Sequence, residues 1–107
     1  MFFITKEDEL LFNNLSVLYF YASWMPYHNK MMYMIDKIEK KYENIKFQAI
    51  DVDFFKNQCL RFNIKSVPTI VILDNDKEIK RINGIVLTSA FKSVFNEICK
   101  GKYAKEI

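Results

Sequence analysis

The chain has 107 residues, half of them apolar, which is the size and composition of one domain with a single core. Its formal net charge at pH 7 is only +3 and its lysines are scattered, whereas a nucleic-acid-binding protein carries a basic stripe. The N-terminal residues show no secretory signal pattern, and the apolar run from Val17 to Trp24 is too short to span a bilayer. We therefore expect a domain that binds neither nucleic acid nor a membrane.

Three elements are predicted before residue 23. Phe2–Ile4 is a candidate strand, and Thr5 is placed to cap a helix that runs to Asn13 with acidic residues in its first turn. Ser16–Ala22 is rich in Val, Leu, Tyr and Phe and shows no strict alternation of apolar and polar residues. That composition predicts a strand that is buried on both faces of a sheet.

A helical pattern extends from Pro26 to about Tyr42. Pro26 suits the first helical turn, where its missing N–H would have no partner. The apolar residues at helical spacing are Met31, Met34, Ile35, Ile38 and Tyr42. We expect this stripe to face the core, while the lysines of the same segment lie on the opposite side in water.

The following segment predicts a strand and a second helix. Ile45–Val52 alternates apolar with polar residues. The helix after it has one apolar stripe, which consists of Phe55, Cys59 and Phe62, and it ends at Asn63. A free cysteine on such a stripe behaves as a small hydrophobic residue, so we expect Cys59 to be buried.

The C-terminal part predicts a hairpin and a last helix. Thr69–Leu73 and Lys77–Ile82 form the two arms of the hairpin, and Asn83-Gly84 ends the second arm. Thr88 is placed to cap the last helix. The apolar face of that helix consists of Phe91, Val94, Phe95, Ile98 and Cys99. The element order is therefore β-α-β-α-β-α-β-β-α, with right-handed crossovers that make the first three strands parallel.

Two motifs occur within this order. Residues 22–28 read Ala-Ser-Trp-Met-Pro-Tyr-His, and residues 66–69 read Ser-Val-Pro-Thr. This frame resembles the thioredoxin family, whose signature A-x-W-C-x-x-C is followed by a V/I-P-T segment with a cis proline. The resemblance covers about residues 2–100. It implies an α/β thioredoxin fold, a mixed five-stranded sheet flanked by four helices, in a single domain over 1–107 with 100–107 as a frayed tail.

The resemblance places Met25 and His28 at the two cysteine positions of the family. It also places Tyr19 at the position of a buried acid, and Ala49 at the position of a lysine, that assist the second cysteine. A dithiol couple needs two sulfurs that attack and leave in turn, which a thioether and an imidazole cannot do. We therefore expect no thiol-disulfide exchange at the positions Trp24, Met25, Pro26, Tyr27 and His28, and a chain that is not an enzyme.

The single histidine and the two cysteines do not form a further site in the sequence. His28 has no catalytic partners, and a helix N-terminus favours a neutral ring near pH 7, so we expect it to pack in the first turn. The Cys59 and Cys99 helices flank opposite faces of this fold, which rules out a bond between them. A metal needs three or four ligands at suitable spacing, so we expect no metal and no other cofactor. Unpaired cysteines indicate a reducing, cytoplasmic location.

The resemblance also implies a groove beside the cis proline. In the family, the backbone before that proline pairs with an extended substrate peptide, and this pairing does not need the cysteines. The groove residues are Trp24, Met25, Tyr27, Val67, Pro68 and Ile85. We predict a redox-inactive thioredoxin-like protein that binds a protein or extended peptide there, as a monomer or as a subunit of a hetero-assembly.

Two alternatives stay open. The first is a thiol-disulfide oxidoreductase or glutathione-linked protein that acts through a single cysteine outside the family site, Cys59 or Cys99. Burial argues against it, because buried thiols are poor nucleophiles. The second is a purely structural subunit whose groove is blocked by Met25 or Tyr27.

Overall fold

The computed structural model describes residues 1–6 and 14–99. Its strands are β1 (Phe2–Phe3), β2 (Leu15–Tyr21), β3 (Lys46–Asp51), β4 (Thr69–Asp74) and β5 (Lys77–Asn83). Its helices are α1 (His28–Glu39), α2 (Lys56–Arg61) and α3 (Thr88–Ile98). Residues 7–13 of the predicted first helix and the predicted tail, residues 100–107, lie outside the described residues.

The sheet has five strands in the order β1-β3-β2-β4-β5. β1 and β2 each pair with β3 in parallel, whereas β4 pairs antiparallel with both β2 and β5. The predicted parallel set followed by an antiparallel hairpin is therefore confirmed. Asn75 and Gly84 have φ values of 57° and 87°, so the left-handed backbone conformation falls at the two predicted breaks on either side of β5.

The core lies on both faces of this sheet, which explains the unbroken apolar composition of β2. On one face, Val17 and Tyr19 pack with residues of α1 and α3 such as Ile35 and Phe95. On the other face, Leu18 and Phe20 pack with Ile50, Val71 and Leu73 and with partly buried residues of α2. Cys99 belongs to the first cluster and Cys59 borders the second, so the predicted placement of the two cysteines on opposite faces is confirmed. Cys59 and Cys99 are not joined in a disulfide.

Two predicted helix starts are wrong. Pro26 lies two residues before α1, in a turn where the His28 N–H donates to the Met25 carbonyl at 3.1 Å. Proline is equally well suited to the second position of such a turn. Thr88 is the first residue of α3 rather than its cap, because the cap position is held by Leu87 with no side-chain hydrogen bond.

No helix within residues 1–6 and 14–99 combines the length and apolar character that crossing a membrane requires.

Candidate functional site

The loop from β2 to α1 is held by a short series of backbone hydrogen bonds. The Met25 N–H donates to the Ala22 carbonyl at 3.0 Å, and the turn from Met25 to His28 follows. Trp24 lies at the tip of this loop with 69% of its surface exposed, and its indole Nε1 donates to Oδ2 of Asp53 at 3.0 Å. The indole is therefore fixed in orientation although it lies in water.

Met25 and Tyr27 point in different directions. Met25 is only 7% exposed and belongs to the core cluster between the sheet and α1, so it offers almost no surface to a partner. Tyr27 is 46% exposed. Of the two residues proposed to block the groove, only Tyr27 has a side chain that reaches the surface.

His28 packs against two tyrosines of β2. Its ring stacks on Tyr21 with centroids 4.5 Å apart, and its Nδ1 lies 3.0 Å from the Tyr19 hydroxyl. Burial lowers the pKa of His28, while the nearby carboxylate of Asp51 opposes this shift. Burial also raises the pKa of Tyr19 and of Tyr21, so all three groups are neutral at pH 7. The expected packing of His28 in the first turn of α1 is confirmed.

The segment before β4 forms the other wall of the site. The Val67–Pro68 peptide bond is cis, as the resemblance to the thioredoxin family implies, and Pro68 is buried. Its carbonyl accepts a hydrogen bond from the Gly84 N–H at 2.8 Å. The Thr69 hydroxyl donates to the Ser66 carbonyl at 2.7 Å. These two bonds hold the segment between the loop after β5 and the start of β4.

Two depressions divide the predicted groove residues between them. The first, which we call the Trp24 cleft, has a volume of about 520 Å³ and is lined by Trp24, Val52, Cys59, Ile64, Lys65, Ser66 and Val67. The second, the Tyr27 cleft, has a volume of about 280 Å³ and is lined by Tyr27, Lys30, Met31, Met34, Ile85, Val86, Leu87 and Thr88. The structure thus brings Trp24 together with Val67, and Tyr27 together with Ile85. Met25 and Pro68 line neither cleft.

The two cysteines differ in accessibility. Cys99 is 1% exposed, and burial raises the pKa of its thiol to about 11. Cys59 is only partly buried and lines the Trp24 cleft, so the prediction that it is buried filler is wrong. The buried side chain of α2 is Gln58, whereas the predicted stripe of Phe55, Cys59 and Phe62 is only partly buried. Within residues 1–6 and 14–99, no three His, Cys, Asp or Glu side chains lie close enough together to hold a metal.

Two features of the site were missed from the sequence. The stacking of Tyr21 on His28 had a signal, since Tyr19 and Tyr21 are two residues apart in a strand and therefore face the same side of the sheet. Nothing in the sequence indicated that the groove residues divide between two clefts. That division depends on where the exposed side chain of Leu87 and the loop after Gly84 lie.

The topology, the cis Val67–Pro68 bond and the loop before α1 together define a domain of thioredoxin fold. The sequence model of the family described as Thioredoxin matches residues 5–97. The chain belongs to the thioredoxin family.

Its similarity to individual proteins is moderate. Thioredoxin 2 of Plasmodium falciparum is 35% identical over 71 residues, which cover 64% of this chain and 45% of that protein. Glutaredoxin 3 of Danio rerio is 29% identical over 84 residues, which cover 76% of this chain and 26% of that protein. The chain therefore spans less than half the length of these curated relatives.

Solved structures show the same fold. The oxidised thioredoxin from Plasmodium falciparum superposes with a TM-score of 0.82 over 91% of this chain and 96% of that chain, at 23% identity. A mutant thioredoxin from Halobacterium salinarum gives a TM-score of 0.79 over 99% of this chain and 92% of that chain, at 16% identity.

Proposed function

We propose that this chain is a redox-inactive thioredoxin-like protein that binds an extended polypeptide beside Val67 and Pro68. Met25 and His28 stand where the family signature has its two cysteines. Thiol-disulfide exchange needs one sulfur that attacks and a second that resolves the mixed disulfide. A buried thioether and an imidazole hydrogen-bonded to Tyr19 do neither.

The observation that carries the proposal is the exposure of large apolar side chains on both sides of Val67 and Pro68. Trp24 is 69% exposed on one side, and Ile85 is 54% exposed on the other. Tyr27 and Leu87 add to the second patch. Large apolar side chains that are exposed in this way are typical of a surface that binds a partner.

The backbone before β4 supplies the second part of a peptide site. The sheet ladder begins at Thr69, which pairs with Phe20 and Asn83. The backbone of residues 66–67 therefore lies outside that ladder, at the end of the sheet. An extended peptide that adds alongside it would direct alternate side chains to opposite sides, and so toward the two clefts.

We also propose that the chain is a monomer, or one subunit of a hetero-assembly, and that it is located in the cytoplasm. Cys59 and Cys99 lie on opposite faces of the sheet, so they cannot form an internal disulfide. Two cysteines without a disulfide between them suit a reducing compartment.

A peptide selection tests the binding function. Peptides from a random 12-residue display library are selected on the immobilised protein, and their affinities are measured by calorimetry. We expect Trp24→Ala and Ile85→Asn each to weaken binding at least about tenfold, as removal of a central apolar contact does. Tyr33→Ala is the control, because Tyr33 is 64% exposed on α1 and lines neither cleft. Unchanged affinity in both groove variants would contradict the proposal.

A separate experiment tests the proposed absence of thiol-disulfide exchange. Insulin reduction by dithiothreitol should run at the same rate with and without the wild-type protein, because no resolving pair exists at the loop. A thioredoxin with an intact C-x-x-C loop serves as the positive control. Accelerated precipitation of the insulin B chain would show that another thiol turns over.

A second candidate function rests on the partial exposure of Cys59. In that case the chain would be an oxidoreductase or glutathione-linked protein that uses this single thiol, which lines the Trp24 cleft. Incubation of the native protein with oxidised glutathione, followed by mass spectrometry, decides between the two. Stoichiometric glutathionylation of Cys59 without denaturant favours the second candidate, and an unmodified chain favours peptide binding.

A further inference from the structure

Each cleft of the peptide groove carries one lysine. Lys65 lines the Trp24 cleft and Lys30 lines the Tyr27 cleft, and both side chains are exposed. The described linings of the two clefts include no aspartate or glutamate. The residues that line the two clefts are therefore mainly apolar, and the charged residues among them are lysines.

Three of the four segments that line the clefts share this bias, whereas the fourth, residues 51–53, supplies Val52 and carries two aspartates. Residues 54–69 contain Lys56, Arg61 and Lys65 and no acid. Residues 22–34 contain Lys30 and no acid, and residues 84–91 contain no charged residue. In addition, α1 has no acidic residue in its first turn, so the positive end of its dipole is not compensated from within the helix.

The carboxylates nearest the groove are engaged in the protein itself. Asp53 accepts the indole N–H of Trp24 at 3.0 Å, and Asp51 is buried and accepts the Asp53 backbone N–H at 2.9 Å. Two further carboxylates, those of Glu78 and Glu39, do not line either cleft. Glu78 pairs with Arg81 at 2.7 Å, and Glu39 lines a separate cavity beside Phe47. The two lysines thus face a partner without a competing acid in the cleft linings.

We propose that the groove selects an extended segment in which apolar side chains are flanked by aspartate or glutamate. This inference rests on the proposed peptide binding and adds the chemistry of the partner. The apolar side chains would enter the two clefts, and the acidic side chains would pair with Lys30 and Lys65. Exposed pairs of this kind contribute modestly to affinity, and they act mainly on selectivity and association rate.

The test is a selection from a random 12-residue display library in 50 mM NaCl. Wild-type protein is compared with the double variant Lys30→Glu/Lys65→Glu. Lys46→Glu/Lys80→Glu is the matched control, because both lysines are exposed on strands, line neither cleft and give the same change in net charge. We expect acidic-apolar peptides from the wild type and the control, and basic-apolar peptides from the groove double variant.

One selected peptide is then measured in solution. Replacing its acidic residues by glutamine should weaken binding about fivefold, and this difference should shrink in 0.5 M NaCl, where exposed charges are screened. The variants Trp24→Ala and Ile85→Asn test whether the peptide lies in the groove. Both variants keep the two lysines, so a loss of binding in them reports on the apolar contacts and not on the charges.

Three outcomes would overturn this inference, and they distinguish its failure from the failure of the proposed peptide binding. Peptides that lose binding in Trp24→Ala but show no acidic excess would leave the groove in place and overturn its charge preference. Peptides that are insensitive to both groove variants would overturn the proposed function together with this inference. Displacement of the peptide by an equal concentration of single-stranded oligothymidine would assign the lysines to nucleic acid and overturn the inference.

Discussion

The hydroxyl of Tyr19 lies 3.0 Å from Nδ1 of His28, and Tyr19 is fully buried. The resemblance to the thioredoxin family places these residues at the positions of a buried acid and of the second cysteine. The hydrogen bond ties the first turn of α1 to the central strand β2. The His28 ring also stacks on Tyr21, which is a second contact between this turn and β2. The start of α1 is thus joined to β2 by two side-chain contacts of His28.

Removing the Tyr19 hydroxyl tests that contact. Tyr19→Phe keeps the ring in the core and leaves Nδ1 of the partly buried His28 without this partner. We expect the free energy of unfolding to fall by about 1 kcal/mol, the usual contribution of such a hydrogen bond. The measurement is urea denaturation at pH 7.5, followed by tryptophan fluorescence.

The matched control is Tyr33→Phe, because Tyr33 is 64% exposed. Its unfolding free energy should stay within about 0.5 kcal/mol of the wild type. If Tyr19→Phe loses no more than this control, the hydrogen bond contributes nothing to stability.

The lowered pKa of His28 predicts a pH dependence of stability. Burial, opposed by Asp51, holds the folded-state pKa below the ordinary value of 6.5. At a pH between the lowered folded-state pKa and 6.5, the unfolded chain therefore binds more protons at His28 than the folded chain does. The contribution of His28 is complete above pH 6.5 and is lost as the pH falls.

His28→Gln provides the comparison, since glutamine does not titrate. Urea denaturation at pH 7.5 and pH 5.5 should show a larger loss of stability for the wild type than for the variant. Carboxylates titrate alike in both proteins and cancel in the difference. Parallel losses would show that His28 has the same pKa in the folded and unfolded chains.

The two thiols should react at different rates in the native protein. Burial raises the pKa of Cys99 to about 11, so very little reactive thiolate exists at pH 8. Cys59 is partly exposed in the Trp24 cleft. We expect Ellman's reagent to modify Cys59 at least about tenfold faster than Cys99, as read from Cys59→Ser and Cys99→Ser. Equal rates would show that the Cys99 thiol becomes accessible to solvent as readily as the Cys59 thiol.

Most of the fold was predictable because local pattern and packing agree. The β-branched run at Thr69 and the turn residues at Asn75 and Gly84 allow few other structures. The starts of α1 and α3 were not predictable in the same way. Pro26 suits both a helix start and a turn, and only the hydrogen bond from His28 N to the Met25 carbonyl decides between them. The cap position before Thr88 is likewise fixed by the chain path after Gly84.

The resemblance to the thioredoxin family, and not the pattern of elements, named Trp24, Tyr27, Val67 and Ile85 as groove residues. It did not show that Met25 turns into the core, which depends on the space between the sheet and α1. Sequence spacing carries no information on that volume.

Met25→Cys/His28→Cys tests whether the chain lost its redox chemistry or its loop geometry. The double variant restores a Cys-Pro-Tyr-Cys loop at the start of α1, where the turn hydrogen bond of 3.1 Å already joins the two positions. We expect an internal disulfide, measured as the loss of two free thiols on oxidation relative to either single variant.

We also expect the double variant to reduce insulin more slowly than a thioredoxin with an intact site. The resemblance places Tyr19 and Ala49 at positions whose side chains move protons to and from the second thiol in the family, and both residues are buried. Failure of the disulfide to form would show that the loop no longer has the family geometry. Turnover equal to that of an intact thioredoxin would show that Tyr19 and Ala49 do not limit the reaction, and that the missing sulfurs are the whole difference.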